Sequence, residues 1–520
     1  MLLALLILLL MAGGIASGFL ARVSHAACRW LALITVTIAF AIIVSVWIDE
    51  GLSMTQTDSW LRDLYIPWIP SFGIAFHLAM DGLSLLMLAL TFFLGILAVL
   101  VSWKEIQYRV GFFHFNLLWV VAGITGVFLT MDLFLFYFFW EVMLIPMYFL
   151  IGIWGHENKQ YAAYKFFIFT QASGLLMLLS ILALYFIHGE QTGIYSFDYF
   201  SILGTTLSPE TGRWLMFGFL IAFIVKLPVV PLHTWLPDAH TEAPTAGSLL
   251  LAGLLLKTGA YGLIRFVLPI FPEASASIAP VAMLLGVVGI LYGAMQAYSQ
   301  TDFKRLVAYT SVSHMGFIML GVFAFNELAM QGVVMQMITH GISTGALFVI
   351  AGVLYERIHT RDILRMGGMW KKVPFMGTVA MIFVMASLGL PGLGNFVAEF
   401  MTLIGAWQAN KLFTIIATAG LVFATAYSLR IMQKVFLGKN IEGHSMTDLS
   451  LREKFILVPL CVVIIWLGLF PQQVINAARP TVANSMHAKN HTAIHQEAQT
   501  NHVKYTSAFT LEKGGSHEHE

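Results

Sequence analysis

Four ionisable residues lie deep inside long apolar runs of this 520-residue sequence, namely Glu141, Lys226, Lys257 and Glu399. A charged side chain at the centre of a membrane helix costs roughly 2.5–3.5 kcal/mol on insertion scales, so charges kept there are a functional-site hypothesis. Burial raises the pKa of an acid and lowers that of a lysine, whereas pairing of the two opposes both shifts. An acid and a lysine in which these effects balance can therefore exchange a proton after a small change in distance. The residue types therefore predict a proton relay.

Two histidines belong to the same set of apolar runs, His314 and His340. Histidine titrates near neutral pH, which suits proton transfer between Lys257 and Glu399. Three alternatives stay open from the residues alone. Each histidine could be a hydrogen-bonded core residue, Glu141 and Lys226 could form a static buried ion pair, and Lys226 could reach the membrane surface from a helix end.

Composition places the chain among polytopic membrane proteins. It is 58% hydrophobic and 11% charged with a mean hydropathy of +0.81, whereas soluble domains are about 25% charged. The net charge of +1 argues against a nucleic-acid partner. Cys28 and Cys461 lack the spacing of a metal or iron–sulfur site, and the sequence has no Gly-rich nucleotide loop and no CxxCH haem attachment. We therefore expect no redox cofactor site in this chain.

Counting apolar runs near 20 residues predicts an all-α protein with about fourteen membrane spans. The first run lacks the basic segment of a signal peptide, so we expect an uncleaved helix. The approximate limits are 2–20, 31–49, 82–103, 112–130, 132–153, 163–188, 213–240, 244–269, 278–299, 304–325, 328–355, 375–408, 412–435 and 454–471.

Two of these spans are interrupted. The seventh breaks at Pro228 and Pro231, and the twelfth breaks at Leu390–Asn395 before it reaches Glu399. Proline lacks the helical N–H group, so the helix opens at these points. Carbonyl groups freed inside a membrane need protein or water as partners. Glu399 follows Pro391 by about two turns, so we expect its carboxylate to project back toward the break.

Weak internal repetition relates the two halves. Phe169–Gly174 in the sixth span resembles Ile338–Gly345 in the eleventh, and the broken spans stand at the same offset. Five spans separate each pair, which predicts inverted repeats of the kind found in secondary transporters. The expected divisions are helices 1–3 with an external loop (1–111), a first repeat (112–269), a second repeat (278–435), a fourteenth helix (436–475) and a polar tail (476–520).

Basic residues predict the orientation. Most lysines and arginines lie in loops that follow odd-numbered spans, and the opposite side, without the tail, has Arg62, Arg213, Arg265 and Lys411. Odd loops are thus expected in the cytoplasm and both termini outside. Residues 50–80 are expected to form one long external loop. His487, His491 and His495 of the tail could line one helix face, but without a carboxylate or thiol a solvated tail is favoured over a metal site.

Five segments together resemble the antiporter-like membrane subunits of respiratory complex I, the bacterial NADH–quinone oxidoreductase. The similarity runs over about residues 1–475. The segments are Phe138-Phe-Trp140-Glu141, Lys226-Leu-Pro-Val-Val-Pro-Leu-His-Thr-Trp-Leu-Pro-Asp-Ala-His240, Lys257-Thr-Gly-Ala-Tyr261, Asp302-Phe-Lys-Arg-Leu-Val-Ala-Tyr-Thr-Ser-Val-Ser-His-Met-Gly316 and Gly394-Asn-Phe-Val-Ala-Glu399-Phe.

This resemblance implies a proton-translocating subunit with fourteen helices in the membrane arm, in the bacterial inner membrane. It implies that Glu141 pairs with Lys226, that Lys257 is the central relay residue and that Glu399 faces the outlet. Within the family, the M branch carries glutamate at this last position where related branches usually carry lysine. It also implies that NADH, flavin, iron–sulfur clusters and quinone bind to partner subunits, and that related membrane subunits and lipid surround this chain.

Two other functions remain compatible with the sequence. A multi-subunit Na⁺/H⁺ antiporter or a membrane-bound hydrogenase would use a subunit of the same fold. A scaffold subunit would use the buried charges only to hold its neighbours. Gene neighbourhood distinguishes a complex I subunit from an antiporter or hydrogenase subunit. Proton pumping after removal of a buried charge distinguishes a proton pump from a scaffold.

Overall fold

The structure is a computed structural model that describes residues 1–51, 60–439, 442–443 and 446–486. The histidines of the polar tail, with the tail from residue 487 onward, lie outside the described residues. Within them the chain forms a helical bundle with one two-stranded antiparallel sheet.

The first third of the chain holds six long helices and the sheet. A polar side chain begins several of these helices, as where Asp81 accepts a hydrogen bond from Ser84 N at 2.9 Å and Asp132 from Leu135 N at 2.9 Å. The elements are α1 (Leu2–Leu20), α2 (His25–Val46), β1 (Arg62–Ile69), β2 (Ile74–Met80), α3 (Gly82–Glu105), α4 (Val110–Leu129), α5 (Leu133–Trp154) and α6 (Lys159–Thr192).

The remainder is helical and contains two interrupted spans. Single π-helical turns follow α2 (Trp47–Gly51) and α16 (Met432–Phe436), and two lie within α10 (Leu251–Leu255 and Leu263–Val267). The helices are α7 (Tyr199–Ile202), α8 (Pro209–Lys226), α9 (Trp235–Glu242), α10 (Thr245–Ile270), α11 (Pro272–Ser299), α12 (Phe303–Val322), α13 (Glu327–Ile358), α14 (Pro374–Ser387), α15 (Gly394–Ala409), α16 (Lys411–Ile431), α17 (Leu451–Leu469) and α18 (Gln472–Met486).

The described residues include 10 helices that are long and apolar enough to cross a membrane, or 11 if the bent pair α17 and α18 forms one span. The chain is therefore a helical polytopic membrane protein. The apolar stretches of α10 and α13 are wholly buried inside the bundle. Helices that are apolar all round and buried on every side form the centre of a helical protein, so these two helices are its core.

The expected long external loop is only partly a loop, because residues 62–80 form a hairpin. β1 pairs with β2 from Arg62 opposite Met80 to Ile69 opposite Ile74, and Gly73 turns the chain with a φ of 65°. The hairpin is held to the bundle because Ala75 N donates to the Asp132 carboxylate at 3.0 Å. The apolar residues of this segment are too few to form a membrane span. Because they alternate with polar residues, they suit a strand pair that covers helix ends.

A buried cluster closes one end of the core. The Arg265 guanidinium of α10 pairs with the Asp81 carboxylate at the start of α3. Thr481 of α18 donates to the same carboxylate at 2.9 Å, and Tyr261 donates to Phe128 O at 3.0 Å. Three helices that are distant in sequence are thus joined at one charge pair.

Candidate functional site

Lys226 ends α8 at the first break, as its sequence context predicts. It is 1% exposed, and its Nζ lies 5.2 Å from the centre of the Trp140 ring and 5.3 Å from that of Phe166. An ammonium group over aromatic faces is stabilised by the ring quadrupoles. The break is closed because Trp235 Nε1 of α9 donates to Val225 O at 2.9 Å. The lysine is thereby held inside the bundle rather than at its surface.

Glu141 lies in the middle of α5 and faces α6. The polar side chains of Tyr137 and Gln171 act on its carboxylate, and a methyl group added at Gly174 would lie 3.2 Å from Glu141 Oε1. The small residue in α6 therefore gives the carboxylate its space. Tyr137 is one turn away on the same helix, which explains the contact.

Among the described residues, Glu141 and Lys226 form no direct salt bridge, so their expected pairing, within salt-bridge or single-water distance, stays a prediction in its water-mediated form. Within the described part of the chain, Lys226 Nζ and Glu141 Oε1 are buried without a hydrogen-bond partner. The charges still influence each other. The physical reason is that the Trp140 and Phe166 rings occupy the space beside the ammonium group.

Lys257 lies at the centre of α10 and contacts His340 of α13. Its Nζ is 2.7 Å from His340 Nδ1 and also donates to Ala252 O. Both side chains are fully buried. The two helices approach closely because a Cβ at Gly341 would lie 2.9 Å from Gly253 O. Gly253, one turn before Lys257, and Gly341, next to His340, thus allow the two side chains to meet.

His314 and Glu399 continue the row. The rings of His314 and His340 are 5.5 Å apart, and His314 Nδ1 is 2.8 Å from Glu399 Oε1. His314 is 2% exposed and Glu399 is also 2% exposed. The second break lies between α14 and α15, at residues 388–393, two residues earlier than the predicted Leu390–Asn395. The Glu399 side chain projects back to that break, since a Cβ at Gly389 would lie 3.3 Å from Glu399 Oε2.

Sequence reasoning missed several polar neighbours of this row. Their signal is helical spacing: Gln336 precedes His340 by one turn and donates to Glu399 Oε1 at 3.3 Å. Ser387 Oγ and Tyr427 Oη lie 3.2 and 3.3 Å from His314 Nε2. A polar residue on a buried helix face can be noticed in a sequence, but its partner on another helix cannot.

The row Lys257–His340–His314–Glu399 is therefore continuous through side-chain contacts, whereas Glu141 and Lys226 make no direct contact with it. Each group in the row can hold or release a proton.

Known proteins share the sequence and the fold. A family model described as "NADH:quinone oxidoreductase/Mrp antiporter, TM" matches residues 130–425. The NADH-quinone oxidoreductase subunit M of Escherichia coli (strain K12) is 52% identical over 495 residues, which cover 93% of this chain and 97% of the relative.

Two solved structures show the same architecture. A chain in the structure of respiratory complex I from Thermus thermophilus with bound NADH aligns with a TM-score of 0.85 at 30% identity, covering 94% of this chain and 99% of that chain. A chain in the Mrp complex from Dietzia sp. DQ12-45-1b aligns with a TM-score of 0.82 at 21% identity, covering 95% of this chain and 99% of that chain. The second likeness concerns the fold alone.

Proposed function

This chain belongs to the subunit M family of NADH–quinone oxidoreductase, and from that membership we propose that its row of buried side chains carries protons for the complex. It is a multi-pass membrane subunit of bacterial respiratory complex I, together with other subunits. The observation that supports the relay is the unbroken side-chain contact from Lys257 through His340 and His314 to Glu399.

Glu141 and Lys226 form the first part of the proposed relay. Their charges act on each other without a direct ion pair, and the Trp140 ring lies 5.2 Å from Lys226 Nζ. An uncompensated lysine beside a carboxylate responds strongly to small changes in distance, because interactions between charges are strong in a low-dielectric interior. Proton transfer then continues to Lys257, and Glu399 faces the outlet at the second break.

Electron transfer takes place elsewhere in the complex. NADH, FMN, iron–sulfur clusters and quinone bind to partner subunits, and this chain moves protons in response to their redox chemistry. Its neighbours in the membrane arm are related antiporter-like chains on both sides, and lipid covers the remaining surface. The exposed apolar side chains of α1, α6 and α16 suit such neighbours.

The proposed membrane architecture has fourteen spans. It adds α12, α17 and the two broken spans, α8 with α9 and α14 with α15, to the ten helices identified by length and composition. Residues 112–269 and 278–435 form inverted repeats, and the matched close packing of Gly123 against Met143 and of Gly293 against Ser313 supports them. Residues 1–111 hold the first three helices, 436–475 the fourteenth, and 476–520 follow it. Both termini lie on the periplasmic side of the inner membrane.

Substitution of Lys257 tests this function. The complex with Lys257→Met is reconstituted into liposomes, and protons translocated per NADH oxidised are measured with a pH-sensitive dye. We expect assembly and a loss of this subunit's share of pumping. Leu256→Met, at the neighbouring fully buried position, serves as the control. Normal pumping by an assembled Lys257→Met complex would indicate that the chain is a scaffold subunit whose buried charges only hold its neighbours.

A subunit of a Na⁺/H⁺ antiporter or of a membrane-bound hydrogenase is the alternative with the same fold. Co-purification distinguishes it. The chain isolated under mild conditions should bring with it subunits that oxidise NADH, and a preparation that contains cation-antiport subunits alone would support the alternative.

A further inference from the structure

Four basic side chains gather where α1, α2, α3 and α4 meet, at the end of the bundle that we propose to be cytoplasmic. This basic group consists of Arg22, Arg29, Lys104 and Arg109. Among the described residues, no carboxylate lies within salt-bridge distance of any of the four. Glu105, the acid next to them in sequence, instead accepts a hydrogen bond from Thr245 N at 2.9 Å. Like charges repel each other, so a negatively charged ligand would stabilise the group.

The turn between α3 and α4, residues 106–109, is bound to Arg29 of α2. One nitrogen of Arg29, Nη2, donates to Ile106 O at 2.8 Å and to Gln107 Oε1 at 3.1 Å. Arg29 is 9% exposed, and its Nε lacks a hydrogen-bond partner among the described residues. A guanidinium group carries five N–H donors, and buried donors are nearly always paired. Arg29 therefore has donors left for an anion.

Arg22 and Arg109 lie at the contact between the end of α1 and the start of α4. A Cβ at Gly111 would lie 2.5 Å from the Cβ of Ala21 and 3.0 Å from Gly18 O, so glycine allows this close approach. α4 has Arg109 at its N-cap, a residue whose side chain cannot accept a hydrogen bond from the helix. The first N–H groups of a helix have no partner within it and, with the helix dipole, favour an anion. The start of α4 thus adds donors to the basic group.

Exposed aromatic residues accompany the basic group. Two of its arginines lie over aromatic rings, at 5.3 Å from the centre of Phe19 and at 5.0 Å from that of Tyr108. Trp30 is 55% exposed and meets Trp103 edge-on, with ring centroids 5.2 Å apart. Tryptophan and tyrosine are enriched in membrane proteins at the depth of the lipid headgroups. Ile15 of α1 is exposed one turn further along the helix, so an acyl chain can follow the same surface.

We propose that the basic group binds the headgroup phosphate of an anionic phospholipid from the cytoplasmic leaflet. Guanidinium groups match phosphate oxygens with paired hydrogen bonds, and the start of α4 offers its N–H groups to the same phosphate. The aromatic residues place the cations at the membrane surface, and basic pockets between membrane helices on the cytoplasmic side attract anionic headgroups. These observations favour a lipid over a soluble anion or an acidic protein segment. The site is separate from the row of buried side chains.

A photoactivatable phospholipid tests this site in the intact complex. The complex is reconstituted into nanodiscs of phosphatidylcholine with rising fractions of phosphatidylglycerol, and a diazirine analogue of either lipid is activated by light. Labelled peptides are identified by mass spectrometry. Arg22→Gln and Arg109→Gln each remove an exposed charge, so they keep the test decisive if Arg29→Gln fails to assemble. The control is Arg213→Gln, at an exposed arginine that begins α8 on the opposite side of the proposed membrane.

We expect the phosphatidylglycerol analogue to label residues 15–30 and 103–112, and the phosphatidylcholine analogue to label them far less. The phosphatidylglycerol fraction that gives half-maximal labelling should rise about fivefold when one arginine of the group is replaced, and it should not change in Arg213→Gln. Equal labelling by the two analogues, or an unchanged fraction in the assembled variants, would overturn the proposal. Labelling by neither analogue would also overturn it and would indicate that a partner subunit covers the group. Proton translocation does not enter this measurement, so its outcome is independent of the proposed relay.

Discussion

At the scale of single residues, aromatic rings replace the expected counter-ion of Lys226. Cation–π contacts contribute about 0.5–2 kcal/mol, the larger values where water is excluded. The ammonium group is thus stabilised by Trp140 and Phe166 while the Glu141 carboxylate keeps its own partners. A lysine without a fixed ion pair can respond to a nearby charge without first breaking a salt bridge.

Removal of the Glu141 charge should abolish most coupled pumping while the complex still assembles. Glu141→Gln keeps the shape and the contacts with Tyr137 and Gln171 but removes the charge that acts on Lys226. Glu141→Asp should keep part of the activity, because the carboxylate survives one methylene further back. The measurement is quinone-dependent proton translocation in membrane vesicles. Full pumping by an assembled Glu141→Gln complex would exclude the residue from the relay.

Glu399→Gln should abolish most of this subunit's share of pumping, given that a positioned acid or base contributes roughly 10²–10⁴-fold to the rate of a proton transfer. The amide keeps a hydrogen-bonding group beside His314 but cannot carry a proton. Gln336→Leu is the matched control, since it removes a contact to the same oxygen without removing a titrating group. Glu399→Lys should be milder than Glu399→Ala, as the family resemblance implies. Equal effects of Glu399→Gln and Gln336→Leu would argue for packing instead.

The residues of the row could be predicted from the sequence because a charge inside an apolar run stands out by its cost. The contacts could not. Whether Trp140 and Phe166 were core residues or partners of Lys226 depends on the rotation of α5 and α6. The roles of Gln336 and Tyr427 depend on the close approach of helices that are far apart in sequence.

At the scale of elements, the second break is built around two glycines with left-handed backbone conformation. Gly389 has a φ of 79° and Gly392 a φ of 93°. Proline position and glycine content predicted this break, because both residue types disfavour a continuous helix. The sequence could not show that only one of these glycines contacts Glu399.

Substitution of these glycines separates backbone strain from contact with the carboxylate. Gly389→Ala and Gly392→Ala should each destabilise the break by about 1–2 kcal/mol, the cost of a left-handed conformation. Only Gly389→Ala places a methyl group 3.3 Å from Glu399 Oε2, and nothing lies within 4 Å of a Cβ at Gly392. Pumping should therefore fall in the first variant and persist in the second, at similar thermal stability. Equal pumping in the two variants would contradict the contact.

At the scale of the whole molecule, the loops that follow odd-numbered spans meet at one end of the bundle. The distribution of basic residues predicts the same grouping of loops. Successive helices cross the membrane in opposite directions, so every second loop lies on the same side. The contacts between these loops are Arg29 with Ile106, Trp154 with Tyr108, Asn158 with Glu242 and Arg361 with Asp302.

The opposite end depends on pH through the hairpin. His77 of β2 pairs with Asp198, and its Nε2 lies 2.9 Å from Asp63 Oδ1. Burial lowers the pKa of His77, but the hydrogen bonds and charges of Asp198 and Asp63 outweigh it and raise the pKa to about 9 from an ordinary 6.5. The stabilisation, on the order of 3 kcal/mol, is complete below about pH 6.5 and is lost as the pH rises through about 9.

Hydrogen exchange should show this dependence. Protection of the amides of residues 62–80, corrected for intrinsic rates, should fall between pH 7 and pH 10. In His77→Gln the protection should be weaker at pH 7 and should change little with pH. An equal decline of amide protection with pH in the wild-type protein and in His77→Gln would show that another group causes the effect.

The cluster at Asp81 also constrains how the protein is made. Thr481 contacts a carboxylate that left the ribosome 400 residues earlier. At elongation rates of about 5–20 residues per second, Asp81 is synthesised roughly 20 seconds or more, and Arg265 roughly 10 seconds or more, before α18 arrives. During that interval the ion pair at the end of α10 has no cover from α18. The helix that carries Lys257 therefore reaches its final surroundings only after α18 has been synthesised.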